Sequence, residues 1–236
     1  MQLQAQQTIT LPEAVAHHAV RVLRLRAGDA ITLFNGHGGE YPATLDVRGK
    51  TTVALVHDHV AREAESRLHI TLVQGLPASG KMDGIVEKAV ELGVHTLVPV
   101  MAQRSPAQTE ARLHKRLEHW QRIVQAASAQ CGRNRLMHID VAQPFDAYLR
   151  QATQCAGTES PHLLCHPDGD TFLHQVLAPP PHALTLCVGP EGGWSDAELH
   201  MAQTLGVQCI RFGARVLRTE TAGMALVAAV RALTAD

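Results

Sequence analysis

From Leu68 onward the chain alternates apolar strand-like runs with amphipathic helix-like runs, and that rhythm admits few folds. A strand can return parallel to its neighbour only through a long crossover, so the alternation predicts an α/β domain, a sheet with helices on its faces. The strands are expected near Ile70 to Gln74, Val94 to Met101, Leu136 to Val141, Leu163 to Cys165, Ala183 to Val188 and Val207 to Phe212. Ser195-Asp196-Ala197-Glu198 fits a capping box that opens a helix, and Gly93 is placed to close one. The last run, Ala222 to Leu233, is apolar on nearly every side apart from Arg231. It must be buried in the core or against a second subunit, and the second subunit is the preferred reading.

Upstream of Leu68 the pattern is different. Ala30 to Asn35, Glu40 to Val47 and Thr51 to Val56 read as short strands broken by glycine turns, with no helices between them, which predicts a small β-barrel. His17 to Arg24 has apolar residues at helical spacing and arginines opposite. His57 to Arg67 is charged and aperiodic, as an interdomain linker would be. The expected domains are therefore 1–68 and 69–236.

No apolar run approaches the ~20 residues that cross a bilayer, and the N-terminus lacks the order of an export signal, so a cytoplasmic protein is expected. Five scattered cysteines without a CxxC pair predict reduced, buried thiols rather than a disulfide framework. The histidines show no metal-ligand spacing, so no metal is expected. A net charge of −1 does not advertise nucleic-acid binding, yet all but four of the 21 basic residues are arginine. They cluster as Arg21, Arg24 and Arg26, as Arg133 and Arg135, and as Arg211, Arg215 and Arg218, and arginine's planar fork suits phosphates and base edges.

Two glycine-bearing loops follow predicted strands: Gly189-Pro190-Glu191-Gly192-Gly193, and Phe212-Gly213-Ala214-Arg215-Val216-Leu217-Arg218-Thr219. Bare backbone at one edge of such a sheet is where α/β proteins hold nucleotide-like ligands. The first loop carries a carboxylate and no lysine, which suits a phosphate poorly and an adenosine-like body with a positive centre better. A rival lies in Gly75-Leu76-Pro77-Ala78-Ser79-Gly80-Lys81-Met82, which satisfies the GxxxxGK part of a phosphate loop and would make the chain a nucleoside triphosphatase. Met82 offers no hydroxyl to a magnesium ion at the next position. The arginines and the barrel alone would also suit a non-catalytic RNA-binding module. Retention of S-adenosylmethionine, of a nucleoside triphosphate, or of neither separates the three.

The two glycine loops, together with Glu91-Leu92-Gly93-Val94, Gln130-Cys131-Gly132-Arg133-Asn134-Arg135 and Cys165-His166-Pro167 in that order, resemble the SPOUT-class methyltransferases that modify N3 of a uridine in 16S ribosomal RNA. The likeness covers nearly the whole chain. Members usually open with a short arginine-plus-aromatic segment; here Met1-Gln2-Leu3-Gln4-Ala5-Gln6-Gln7 stands instead, so that segment's RNA contacts are not carried over. The resemblance implies a deep trefoil knot in the α/β domain, a PUA-like N-terminal barrel, a homodimer with each active site near its interface, S-adenosylmethionine as cofactor, and the small ribosomal subunit as partner. It further implies a cofactor enclosed by Leu164, His166, Gly189, Glu191, Gly192, Gly193, Phe212, Gly213, Leu217, Arg218 and Thr219.

Methylating a carbon of uracil generally needs a nucleophile such as cysteine, whereas ring N3 has only to lose its proton and attack the methyl group. Neither glycine loop contains a cysteine. Arg218 is the candidate for stabilising the charge that spreads onto the uracil oxygens, with Arg215 as its nearest substitute. Glu191 is the second candidate, to attract the sulfonium, orient the ribose or accept the proton. Arg21, Arg24, Arg26, Arg133 and Arg135 are the expected RNA contacts. A Gly192→Val side chain is expected to fill cofactor space.

Overall fold

The computed structural model describes residues 3–49, 51–78, 80–155 and 160–234, and the chain divides into two compact units. Met1, Gln2 and Ser79 of the segments discussed above lie outside the described residues.

The first unit comprises Met1–Glu65 together with Gly132–Leu136. It contains β1 (Thr8–Thr10), α1 (Glu13–His17), β2 (Ala30–Leu33), β3 (Tyr41–Arg48) and β4 (Thr51–Val56). These strands form an antiparallel sheet in the order β1-β4-β3-β2. Alternation puts Ala43 and Leu45 of β3 on the core face with Ala54 and Val56 of β4, where Ile9 and Leu11 join them. The helix expected over His17 to Arg24 begins and ends earlier: α1 runs on into a π-helical turn over His18–Val22, and Arg24 follows at φ 58°.

His57 to Arg67 is more than a linker. Val60 and Glu40 exchange backbone hydrogen bonds at 2.8 Å, and Glu65 accepts two from Arg133, at 2.8 and 2.6 Å. Asn134 donates to the Arg62 carbonyl at 2.7 Å, and Arg135 pairs with Glu63 at 2.8 Å. The aperiodic charges are thus spent on in-fold ion pairs, which hydrophobic periodicity cannot reveal.

The second unit comprises Ser66–Cys131 and Met137–Asp236. In chain order it holds β5 (His69–Gly75), α2 (Lys81–Glu91), β6 (Thr96–Met101), α3 (Glu110–Cys131), β7 (His138–Ile139), β8 (Gln143–Pro144), α4 (Phe145–Cys155) and β9 (His162–Cys165). There follow β10 (Thr171–Phe172), α5 (Leu173–Val176), β11 (Ala183–Val188), α6 (Asp196–Thr204), β12 (Gln208–Arg211) and α7 (Thr219–Thr234). The strands are parallel in the order β10-β12-β9-β11-β5-β6-β7, with β8 beside β6. Every strand therefore ends at one edge, and every loop that follows a strand gathers there.

One face of this sheet packs Leu72, Leu97, Leu163 and Leu186 against α2, α3 and α7, and the other packs Val73, Val98, Leu164 and Cys187 under α4 and α6. Helix α7 lays Ala222, Leu226, Val227 and Val230 into the core, while Thr221, Ala228, Ala232 and Leu233 stay exposed. Cys187 is buried as expected, but Cys131 is exposed.

Arg231 is the polar exception in the run Ala222 to Leu233 of α7. Its guanidinium donates to the carbonyls of Leu92 at 3.3 Å, Gly93 at 2.5 Å and Leu68 at 3.0 Å, and to the Ser66 hydroxyl. A cation at the C-terminal end of α2 satisfies carbonyls that have no helical partner. Arg231→Met is expected to destabilise the protein by about 2 kcal/mol, lowering the melting temperature by roughly 4 to 8 °C in thermal unfolding.

Candidate functional site

The carboxyl edge of the parallel sheet holds a cleft of about 870 Å³, a size typical of small-molecule sites. Its walls are Cys165 to Pro167 after β9, Val188 to Trp194 after β11 and Arg211 to Thr219 after β12, with Lys81 and Arg104 at the rim. A cleft of about 940 Å³ lies between Pro161, Pro179 to His182 and Gln208, near the opposite ends of the strands. It gathers neither of the two glycine loops singled out in the sequence, so the carboxyl-edge cleft is the site to which the sequence points.

The first loop is a tight turn. Gly193 donates its N–H to the Pro190 carbonyl at 2.9 Å and adopts φ 69°, a conformation that glycine allows without strain. Beyond it, Trp194 is buried and stacks on Phe145 with centroids 4.1 Å apart. The expected capping box then starts α6: Ser195 Oγ accepts from the Glu198 N–H at 3.3 Å, and the Glu198 carboxylate accepts from the Ser195 N–H at 2.8 Å. Arg104 clasps the loop from outside, donating to the carbonyls of Gly192 at 2.9 Å and Trp194 at 3.1 Å.

That clasp revises the reading of Gly192. A Cβ built there would sit 2.9 Å from Arg104 Cβ, so the first effect of a side chain is to displace the arginine rather than to fill the cleft. The second loop turns at Gly213, φ 76°, and exposes Arg215, Val216 and Arg218. Among the described residues, neither Arg215 nor Arg218 has a side-chain hydrogen bond or ion pair.

Glu191 is held otherwise. Its carboxylate accepts from the Ala78 N–H at 3.1 and 3.2 Å and pairs with Lys81 at 3.0 Å, while Lys81 also reaches Glu220 at 3.2 Å. Burial pushes the Glu191 carboxyl up, but the hydrogen bonds from Lys81 and backbone N–H groups outweigh it and hold the group below the usual carboxylate range. The same bonds, led by that to Glu191, raise Lys81. A carboxylate held this way is a poor proton acceptor.

The structure thus brings His166, Gly189, Glu191, Gly192, Gly193, Phe212, Gly213, Leu217, Arg218 and Thr219 to one cleft. Leu164 is fully buried in β9 and lies one residue below the rim. On the first unit, Arg21, Arg24 and Arg26 are exposed, and Arg135 is half exposed beside Glu63. Arg133 is buried against Glu65. Sequence reasoning missed Arg104, which sits in no glycine-bearing loop, and gave Lys81 to the rival phosphate loop instead of to this cleft; Cys165 lies within the stretch Leu164 to His166 that the resemblance placed at the cofactor. The Cys165 thiol is pushed up to about 11 by burial, so it is protonated at neutral pH.

The phosphate-loop reading does not survive this geometry. Two carboxylates neutralise the ammonium of Lys81, and Met82 is buried in the core where a metal-binding hydroxyl would stand. Glycine backbone on two sides fits an adenosine-like ligand, while the unpaired arginine is left for a group of opposite charge.

Comparison with known proteins agrees. A family model described as an RNA methyltransferase domain matches residues 64–231, and one described as an RNA methyltransferase PUA domain matches residues 11–56. The chain is 33% identical to a ribosomal RNA small subunit methyltransferase E of Synechocystis, over 96% of this chain and 73% of that protein. A crystal structure of the protein of that name from Neisseria gonorrhoeae, bound to S-adenosyl methionine, is 34% identical with a TM-score of 0.88, covering 99% of this chain and 94% of the other. A methyltransferase of Legionella pneumophila, in complex with the same cofactor, is 30% identical with a TM-score of 0.88, covering 98% and 94%. These likenesses support neither a triphosphatase nor a binding module without catalysis.

Proposed function

The chain belongs to the ribosomal RNA small subunit methyltransferase E family, and from that premise we propose that it transfers a methyl group from S-adenosylmethionine to N3 of one uridine in 16S ribosomal RNA. The observation that carries this reading is the cleft itself, walled by backbone from both glycine loops, with Arg218 unpaired on its wall. S-adenosylmethionine supplies an electrophilic methyl group on a sulfonium. The chain's own task is to hold uracil N3 in line with it and to ease loss of the N3 proton.

Arg218, with Arg215 beside it, faces the charge that the deprotonated ring spreads over its oxygens. The neutral Cys165 thiol argues for nitrogen over carbon, since addition to the ring would need a thiolate. Glu191 serves this chemistry by holding the first loop through Lys81 and Ala78. Residues 1–68 form the RNA-binding domain, with Arg21, Arg24, Arg26 and Arg135 as contacts, and Arg133 fixes the segment that carries Arg135. Residues 69–236 form the methyltransferase domain.

The remaining parts of the proposal are a homodimer, a trefoil knot and a cytoplasmic location. The exposed Ala228, Ala232 and Leu233 of α7 support the first, and the interleaved order β12-β9-β11-β5 supports the second. Among the described residues no helix is long and apolar enough to cross a membrane. The decisive experiment is mass spectrometry of 16S RNA from cells that lack this protein. One N3-methyluridine is expected to vanish and to return when the gene is restored; its persistence in the deletion strain would remove the assignment.

A further inference from the structure

The segment from the end of β5 into the start of α2 matches half of a phosphate loop, and so far its lysine serves only to hold Glu191. In the structure it grips the cofactor cleft at several points. Gln74, at the end of β5 and fully buried, donates from Nε2 to the Thr219 hydroxyl at 2.8 Å, and that hydroxyl donates in turn to the Gly189 carbonyl at 2.6 Å. Gln74 Nε2 also donates to the Gly75 carbonyl at 3.0 Å, which fixes the orientation of the amide. Further along, Ala78 donates its N–H to Glu191, and Lys81 spans Glu191 and Glu220.

Both chains of contact join the same two elements. Gly189 and Glu191 belong to the first glycine loop, while Thr219 and Glu220 open α7 directly after the second. The inner tie is neutral and buried; the outer is ionic and about one-third exposed. Gln74 Oε1 is buried without a hydrogen-bond partner, a cost that a chain selected only for stability would shed with leucine.

We propose that Gln74 and Lys81 are positioning residues that set the spacing between the first glycine loop and the start of α7, and so the width of the cofactor cleft. This rests on the methyl-donor reading of the cleft. GxxxxGK is here a clasp on a neighbouring loop: its lysine answers two carboxylates of the chain instead of a ligand's phosphate.

Lys81 is exposed enough that Lys81→Met leaves folding intact, and two measurements decide the matter. In ligand-free protein, hydrogen exchange at the amides of 189, 191–193 and 219–222 is expected to quicken about fivefold or more, with β5 and α3 unchanged. By calorimetry, S-adenosylmethionine and its demethylated product are both expected to bind about tenfold more weakly, while kcat at saturating cofactor stays within about threefold of wild type. Lys81→Arg, which keeps the ion pairs, is expected to restore both readouts, and Gln74→Leu to reproduce the exchange effect from the inner side. Unchanged exchange in both variants, or unchanged affinity in Lys81→Met, would overturn the inference. So would magnesium-ATP binding by wild type that Lys81→Met abolishes. Failure of the wild type to bind either sulfur compound would instead sink the proposed function, with the exchange data still deciding the clasp.

Discussion

Arg218→Ala is expected to lower methyl transfer at saturating cofactor by roughly 10² to 10³, while the dissociation constant for S-adenosylmethionine moves less than about threefold. The split follows from how the residue is built in. Its carbonyl accepts from the N–H groups of Thr221 and Ala222 at 2.9 Å each, so the backbone that shapes the cleft is anchored without the side chain. The guanidinium is exposed on the cleft wall, and the two carboxylates nearest in sequence logic, Glu191 and Glu220, are already paired with Lys81. A structural ion pair is therefore not what the mutation removes. What it removes is a donor for the negative charge that appears only as N3 gives up its proton, and an interaction made only in the transition state lowers kcat rather than binding. Rate measurements on small subunits from the deletion strain, set beside calorimetry with the cofactor alone, test both halves. Equal losses in the two would make Arg218 a structural residue.

Local features of this fold were legible because local chemistry decides them. The run Ala183 to Val188 is β11 to the residue, Thr51 to Val56 is β4, and Ser195 with Glu198 makes the capping box that its spacing predicts. Gly93, at φ 75°, closes α2 as a left-handed residue should. The strands expected over Leu136 to Val141 and Val207 to Phe212 are longer than β7 and β12, since apolar residues such as Val141 and Phe212 continue the pattern after the hydrogen-bonded ladder has ended. The two-residue strands β8 and β10 carry too little pattern to register at all.

Of the site, the backbone walls were legible and the side-chain partners were not. Glycines announce where a chain needs bare backbone, but nothing in Lys81 announces a carboxylate 110 positions away in Glu191, the separation that the two residue numbers give. Arg133 and Arg135 show the same limit at close range. Two residues apart in one cluster, they read alike, yet one is buried with Glu65 and the other half exposed beside Glu63. Composition sets how many arginines there are, whereas only the fold sets which of them faces solvent.

Gly75→Ala carries the second large effect. A Cβ built at Gly75 would lie 2.6 Å from both the ring Cδ and the backbone nitrogen of Pro190, and 3.0 Å from the Gly189 carbonyl carbon. Real Cβ contacts do not come so close, and the obstacle is mostly main chain, which cannot rotate away as a long side chain can. The loop must therefore move, and it is tied down by Thr219 on the inside, Lys81 and Ala78 at Glu191, and Arg104 at Gly192. Moving it strains those contacts together. Overpacking of this kind costs about 1 to 3 kcal/mol of stability, or roughly 2 to 12 °C in melting temperature for a chain of this size. Methyl transfer suffers more, because a displacement near 1 Å in a positioning wall can cost about a hundredfold in rate. Methyl transfer should fall by about that factor and calorimetry should show weakened S-adenosylmethionine binding, with far-ultraviolet circular dichroism unchanged. Retained affinity in Gly75→Ala would mean that Pro190 yields without the loop, and that the close approach of β5 to the first glycine turn is packing alone.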